Sequence, residues 1–209
     1  PLSCRINKNG SVYFRIEAAG DINLKVTAAL TKEILAFETG KNAIDASENQ
    51  MDAFFTAPET GVYTLNAALE AGDHIVVNIS ESDRWLYTNQ KISYVLAADE
   101  SLYFTAPQGT KGSITIGKEA SMRDLTQDTN TGLSKGINWF RFNAEEYGYY
   151  GFAFDKAVKA AKIYKNADVS DKTNLMENCR SFGVDMEEGE TLYLYIVTEN
   201  TASVRVEKE

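Results

Sequence analysis

The feature that most constrains this chain is a repeat of about 90 residues. The segments SVYFRIEAAGDINLKV, SLYFTAPQGTKGSITI and TLYLYIVTENTASVRV superimpose without a gap at a spacing of 90. Tyr13, Tyr103 and Tyr193 correspond, as do Val26, Ile116 and Val206. A second block, DAFFTAPETGVYTL, lines up with FRFNAEEYGYYGF at a spacing of 87, matching Gly61 to Gly148 and Tyr63 to Tyr150. NISESD resembles NADVSD at 88, so the drift between 87 and 90 reflects insertions in loops, which tolerate them. A fixed period of this kind means that one supersecondary unit is copied along the chain.

Counting back from Glu209 divides the chain into 120–209, 30–119 and a remainder, 1–29, that matches only the closing strands of a unit. The reading is two complete modules preceded by the tail of a third, with 1–29 ordered by pairing on the sheet of 30–119. Within each copy FFTA and FRFN alternate apolar and polar residues. A Gly-containing turn then leads into VYTLN or YYGFAF, as in a hairpin. A polar turn, AADE or EEGE, feeds LYF or LYL, and SITI or SVRV closes the copy. TKEILAFE and MRDLTQ could each form a short helix or an irregular strand, with the strand favoured. Five to seven strands are expected per copy, with turn signals about every ten residues. That makes the fold all-β: tandem antiparallel β-sandwich, jelly-roll-like modules. The connection near 117–123, GKEASMR, has no Pro and no Gly-Ser run and should be short and stiff.

The order of an aromatic strand, A-P-E-T-G-V-Y-T-L, an acidic loop, E-G-E-T-L-Y-L-Y-I and a final V-R-V resembles the bacterial pre-peptidase C-terminal (PPC-like) domain. The likeness covers about 52–119 and 136–209, with 4–26 matching the closing strands. It implies a non-catalytic sandwich appended to secreted proteases and other surface proteins, in a family where some members bind collagen or polysaccharide and some hold calcium. The acidic cluster of the collagen-binding relatives is not matched here.

Charge narrows the partners. Thirty acidic against 21 basic residues give a net charge of −9 spread along the chain, which disfavours nucleic acid and anionic membrane surfaces. No apolar run approaches the roughly 20 residues that cross a bilayer. The start at Pro1 without Met reads as a piece cut from a longer precursor, secreted or displayed at the cell surface. Cys4 and Cys179 lie 175 positions apart, which is neither metal-ligand spacing nor a disulfide framework.

No catalytic constellation emerges. HExxH, G-x-S-x-G, P-loop and GxGxxG patterns are absent. The single histidine, His74 beside Asp73, reads as a solvated turn, and the pairs Glu145–Glu146 and Glu187–Glu188 sit in turns between strands. Calcium is the one cation the acidic loops 81–83 and 168–171 could take, although they lack an EF-hand's Gly and terminal Glu. No other cofactor is expected.

Exposed aromatics are the better lead. Trp85 and Tyr87 fall in SDRWLYTNQ, a loop-like segment in which Asp83, Arg84 and Asn89 supply hydrogen-bonding groups. A flat ring beside such groups can stack on the C–H face of a sugar while the polar side chains hold its hydroxyls. Trp139, Tyr149 and Tyr193 are secondary candidates; alternation sets Trp139 opposite Phe140 and Phe142, and Tyr149 opposite Tyr150, so these rings either meet a ligand or cover an inter-module contact. The expected role is binding of an extracellular polysaccharide or host polymer. The alternatives are a structural spacer or adhesin stalk unit, whose modules contact only each other, and an accessory domain released from a larger secreted hydrolase.

Overall fold

The computed structural model describes residues 34–79 and 82–209, and every regular element among them is a strand. The first module contains nine: β1 (Leu35–Phe37), β2 (Gly40–Asp45), β3 (Met51–Thr56), β4 (Gly61–Ala71), β5 (His74–Ile79), β6 (Ser82–Tyr87), β7 (Lys91–Leu96), β8 (Ser101–Ala106) and β9 (Lys111–Ser121). They form a five-stranded sheet, β1-β3-β8-β5-β6, facing a four-stranded sheet, β2-β9-β4-β7. Alternation along each strand sends one set of side chains between the sheets: Ile75 and Val77 from β5, Leu102 and Phe104 from β8, Tyr63 and Leu65 from β4, Ile114 and Ile116 from β9. Each such side chain, fully withdrawn from water, stabilises the fold by about 1.5–3 kcal/mol before the entropy of ordering is subtracted.

The second module has seven strands: β10 (Arg123–Asp124), β11 (Asn130–Leu133), β12 (Gly136–Asn143), β13 (Gly148–Tyr164), β14 (Met176–Met186), β15 (Thr191–Thr198) and β16 (Ala202–Lys208). Here the layers are joined. The first part of β13 pairs with β14 and β16, its last part with β14 and β15, and the register slips between Ala153 and Val158 where the strand changes sheets. In the first module β4 and β5 divide that task, broken at Gly72 with φ +80°, where an added Cβ would lie 2.7 Å from the Thr110 hydroxyl. The corresponding stretch of β13 contains no glycine and turns the corner by a bulge instead. TKEILAFE and MRDLTQ each hold a short strand, β1 and β10, which pair in parallel with β3 and β12. The expectation for 1–29 lies outside the described residues, as does Cys4; Cys179 is a buried free thiol, and burial pushes its pKa up.

The repeated E-x-G-x-Y has a physical cause that recurs in both copies. The Tyr63 hydroxyl donates to the Glu59 carbonyl at 2.8 Å, and the Tyr150 hydroxyl to the Glu146 carbonyl at 2.9 Å. Lys118 pairs with Glu59 at 2.7 Å and Lys208 with Glu146 at 2.5 Å. Each lysine stem crosses the intervening glycine, so a Cβ on Gly61 or Gly148 would meet its Cε at 2.8 or 2.5 Å. The A-A-D-E and E-E-G-E turns match as well. Ala97 N–H donates to Glu100 and Glu187 N–H to Glu190, with Asp99 and Gly189 in the left-handed region. The Glu100 and Glu190 carboxylates thus hold these turns, and Glu146 is paired with Lys208.

The modules are joined by one residue, Met122, between β9 and β10. A third apolar cluster, Val62, Val95, Trp139, Tyr164, Val169 and Tyr195, lies between the outer faces of the two sandwiches. The segment after β13 extends the contact along the edge of β7: Val95 N–H donates to Ala167 O at 2.8 Å and Val169 N–H to Ser93 O at 2.9 Å. Lys172 and Lys91 converge on Glu119 at 2.9 and 3.5 Å. Burial opposes ionisation of Glu119, but the two ammonium groups outweigh it and hold its carboxyl below the usual range. The connection is short, and these contacts brace the two modules against each other. Limited trypsin digestion should leave it intact, because Lys118 is in strand β9 and the Arg123 guanidinium is bonded to Gly132 O and Asn138 Oδ1. Early fragments ending at Lys118 or Arg123 would show the contact to be loose.

Candidate functional site

The surface that stands out is the outer face of the β5–β6 hairpin. Ile75, Val77 and Leu86 point inward and are buried, which fixes the opposite face by alternation. Antiparallel register then sets His74 against Tyr87, Val76 against Trp85 and Asn78 against Asp83. Among the described residues β6 is the edge of its sheet.

Three rings gather there. His74 stacks on Trp85 with centroids 4.6 Å apart and planes 14° apart, and Tyr87 stands edge-on to Trp85 at 6.3 Å. Trp85 is 53% exposed and Tyr87 44%, so both present ring surface to solvent while resting on one another. His74 Nδ1 lies 2.7 Å from Asp73 Oδ1. An ionised carboxylate only accepts, so Nδ1 carries the proton and the ring is held against Trp85. On the other side of Trp85, Asn78 Nδ2 donates to Asp83 Oδ1 at 2.7 Å. The result is a braced aromatic ledge with polar groups at both ends, suited to stacking against a flat apolar surface with hydroxyls at its margin.

Several sequence expectations change. SDRWLYTNQ is a strand rather than a loop as far as Tyr87. Trp85 and Tyr87 do share a face, and Asp83 joins them. Arg84 does not: it points the other way and pairs with Asp168 of the second module at 3.2 Å. Asn89 sits past the strand in a turn with φ 60°, its N–H donating to Ala67 O, and Gln90 accepts from Tyr87 N–H. His74 lies in strand β5 rather than in a solvated turn and supports Trp85 with its ring, and Asn78 joins the face beside Asp83. Their partners lie across the hairpin, so only the register of β5 on β6 exposes them.

The secondary aromatics belong to other surfaces. Trp139 is 2% exposed at the centre of the inter-module cluster, 5.0 Å from the Tyr195 ring, and cannot meet a ligand there. Its Nε1 has no hydrogen-bond partner. Tyr193 packs against the same cluster, and burial raises its pKa. Tyr149 occupies the place that Val62 holds in the first module. It is 40% exposed, but its hydroxyl end lies over Gly183, where an added Cβ would clash with it.

Among the described residues no three His, Cys, Asp or Glu side chains are grouped to hold a metal ion. In the 168–171 loop Asp168 is engaged by Arg84 and by the Ser170 hydroxyl, while Asp171 accepts from Lys162 and Thr173. Lys162, then the Thr173 N–H and hydroxyl, hold the Asp171 carboxyl well below the usual range. These carboxylates serve the loop and the module contact.

No family model matches the chain, and no curated protein sequence matches it. Among solved structures the chain aligns with HutD from Pseudomonas fluorescens SBW25 over 77% of its own length and 79% of that chain, at 11% identity and a TM-score of 0.20, too low to carry an argument. What the fold defines is an all-β protein of packed antiparallel sheets.

Proposed function

We propose that this chain is a non-catalytic, PPC-like binding module of a secreted or cell-surface protein, holding an extracellular polysaccharide or other insoluble polymer on the β5–β6 face. The observation that carries the reading is the ledge of His74, Trp85 and Tyr87, half open to solvent and flanked by Asn78 and Asp83. The rings themselves support it: where β6 pairs on β5, the start of β14 pairs on the end of β13 in the second module, but Glu177 and Ala160 stand there in place of Tyr87 and His74, so the aromatic ledge belongs to the first module alone. Single-site affinity should be weak, since ring stacking contributes on the order of 1 kcal/mol beyond area burial, and retention would gain from several modules acting together.

The Trp139 cluster favours a second reading, a rigid spacer or stalk unit in which module contact is the whole function. A sedimentation assay of the intact chain on cellulose, chitin, chitosan, peptidoglycan and fibrillar collagen separates the two. Retention on at least one polymer in 0.5 M salt is expected. Recovery in the supernatant from all five would favour the stalk.

A further inference from the structure

We infer that the polymer held on the β5–β6 face carries free amino groups, as a de-N-acetylated amino-sugar chain does; this rests on the binding role proposed for that face. Among the described residues the charged groups at the ledge are of one sign. Asp73, its side chain 83% exposed, is bound to the His74 end of the ledge, and Asp83 projects from the same face as Trp85, two residues away along β6. That spacing is about 7 Å in an extended strand. A sugar stacked on Trp85 therefore brings a ring substituent within reach of a carboxylate.

The cations nearest in sequence are turned away. Arg84 alternates to the opposite face and pairs with Asp168, and Lys91 pairs with Glu119 at the module junction. A uronate or sulfated sugar would bring its anion against two aspartates with no guanidinium on that face of β6 to receive it. A neutral sugar gains stacking and hydrogen bonds only. An alkylammonium gains more: it is attracted by the face of Trp, the strongest aromatic partner for a cation, and by both carboxylates. Each carboxylate accepts at two oxygens, so the bonds from His74 and Asn78 leave acceptor capacity for an ammonium group that has three donors. The net charge of −9 adds long-range attraction for a polycation.

The test is a calorimetric titration of the intact chain with glucosamine hexamer, N-acetylglucosamine hexamer, cellohexaose and hexalysine. The amino-sugar hexamer should bind about fivefold tighter than either neutral hexamer, from a cation–π contact and exposed ion pairs together. The double variant Asp73→Asn/Asp83→Asn should bring all three sugars within twofold of one another. Equal binding of amino and neutral sugars in the unaltered chain would overturn the inference and leave the proposed platform standing. An amino preference that survives the double variant would place it in the net charge of the chain and overturn the site. Hexalysine binding as tightly as the amino sugar would overturn the assignment to a glycan. If no sugar binds, or if Trp85→Ala changes none of the isotherms, the platform itself is wrong and the inference falls with it.

Discussion

Trp139→Ala is expected to lower the thermal midpoint of the chain by about 6–12 °C, from a loss of about 3 kcal/mol in a protein of this size. The indole fills the space between the sandwiches, with Val62 and Val95 on one side and Tyr164 and Tyr195 on the other. Truncation removes its contacts and leaves a cavity that two rigid sheets cannot collapse to fill. It also strips the Lys172 ammonium, 5.4 Å from the ring centroid, of a partner that holds it beside Glu119. One term offsets the loss. The Nε1 donor is buried without an acceptor, and removing it relieves a penalty of about 1–3 kcal/mol, which is why the expected cost lies at the low end for a buried tryptophan. Trp139→Phe, which drops that donor but keeps a ring, should lie much nearer the parent. Scanning calorimetry checks both. A fall of less than about 2 °C for the alanine variant, under 1 kcal/mol at this size, would mean that the cluster contributes little and that the modules are joined mainly by backbone pairing at β7.

The architecture was legible because the repeat was. Positions that recur, such as Tyr63 with Tyr150, are the ones that build corners, and recognising them gave an all-β sandwich without locating each strand. What the repeat could not convey was what differs between copies. β6 is matched only by the start of β14, and its inward positions, Arg84 and Leu86, give only one apolar residue facing the core. Period-two alternation is then too faint to separate an edge strand from a polar loop, and five to seven strands were expected where the first module has nine. The fate of Arg84 was available in principle: residues adjacent in an extended segment face opposite ways, so placing Trp85 outward already turned Arg84 inward.

Trp139 illustrates the complementary limit. Its opposition to Phe140 and Phe142 was readable from alternation, and the structure places those phenylalanines in the second module's core and Trp139 outside it. Which surface covers the outer face is decided by how two modules dock, and that depends on Met122 and the 166–170 segment rather than on any local pattern. His74 escaped for a related reason. A lone histidine after Gly-Asp looks like part of a turn until β6 is laid beside it and Trp85 arrives on its ring.

The second large effect concerns Trp85. Replacing it by Ala removes its ring contacts with both His74 and Tyr87, which are left with only their tilted contact to each other, while the inward side chains Ile75, Val77 and Leu86 keep the hairpin in place. A half-exposed edge residue of this kind costs on the order of 1 kcal/mol or less in stability, so the midpoint should fall by no more than about 4 °C. Binding is different, because a few central rings dominate an interface of this type and weak single sites give no reserve. The decisive measurement is therefore sedimentation of Trp85→Ala beside the unaltered chain on the five-polymer panel, with far-ultraviolet circular dichroism confirming the fold. Retention of the unaltered chain on a polymer and its loss in the variant is the expected result; a folded Trp85→Ala chain that is retained as well as its parent would contradict a binding role for this face.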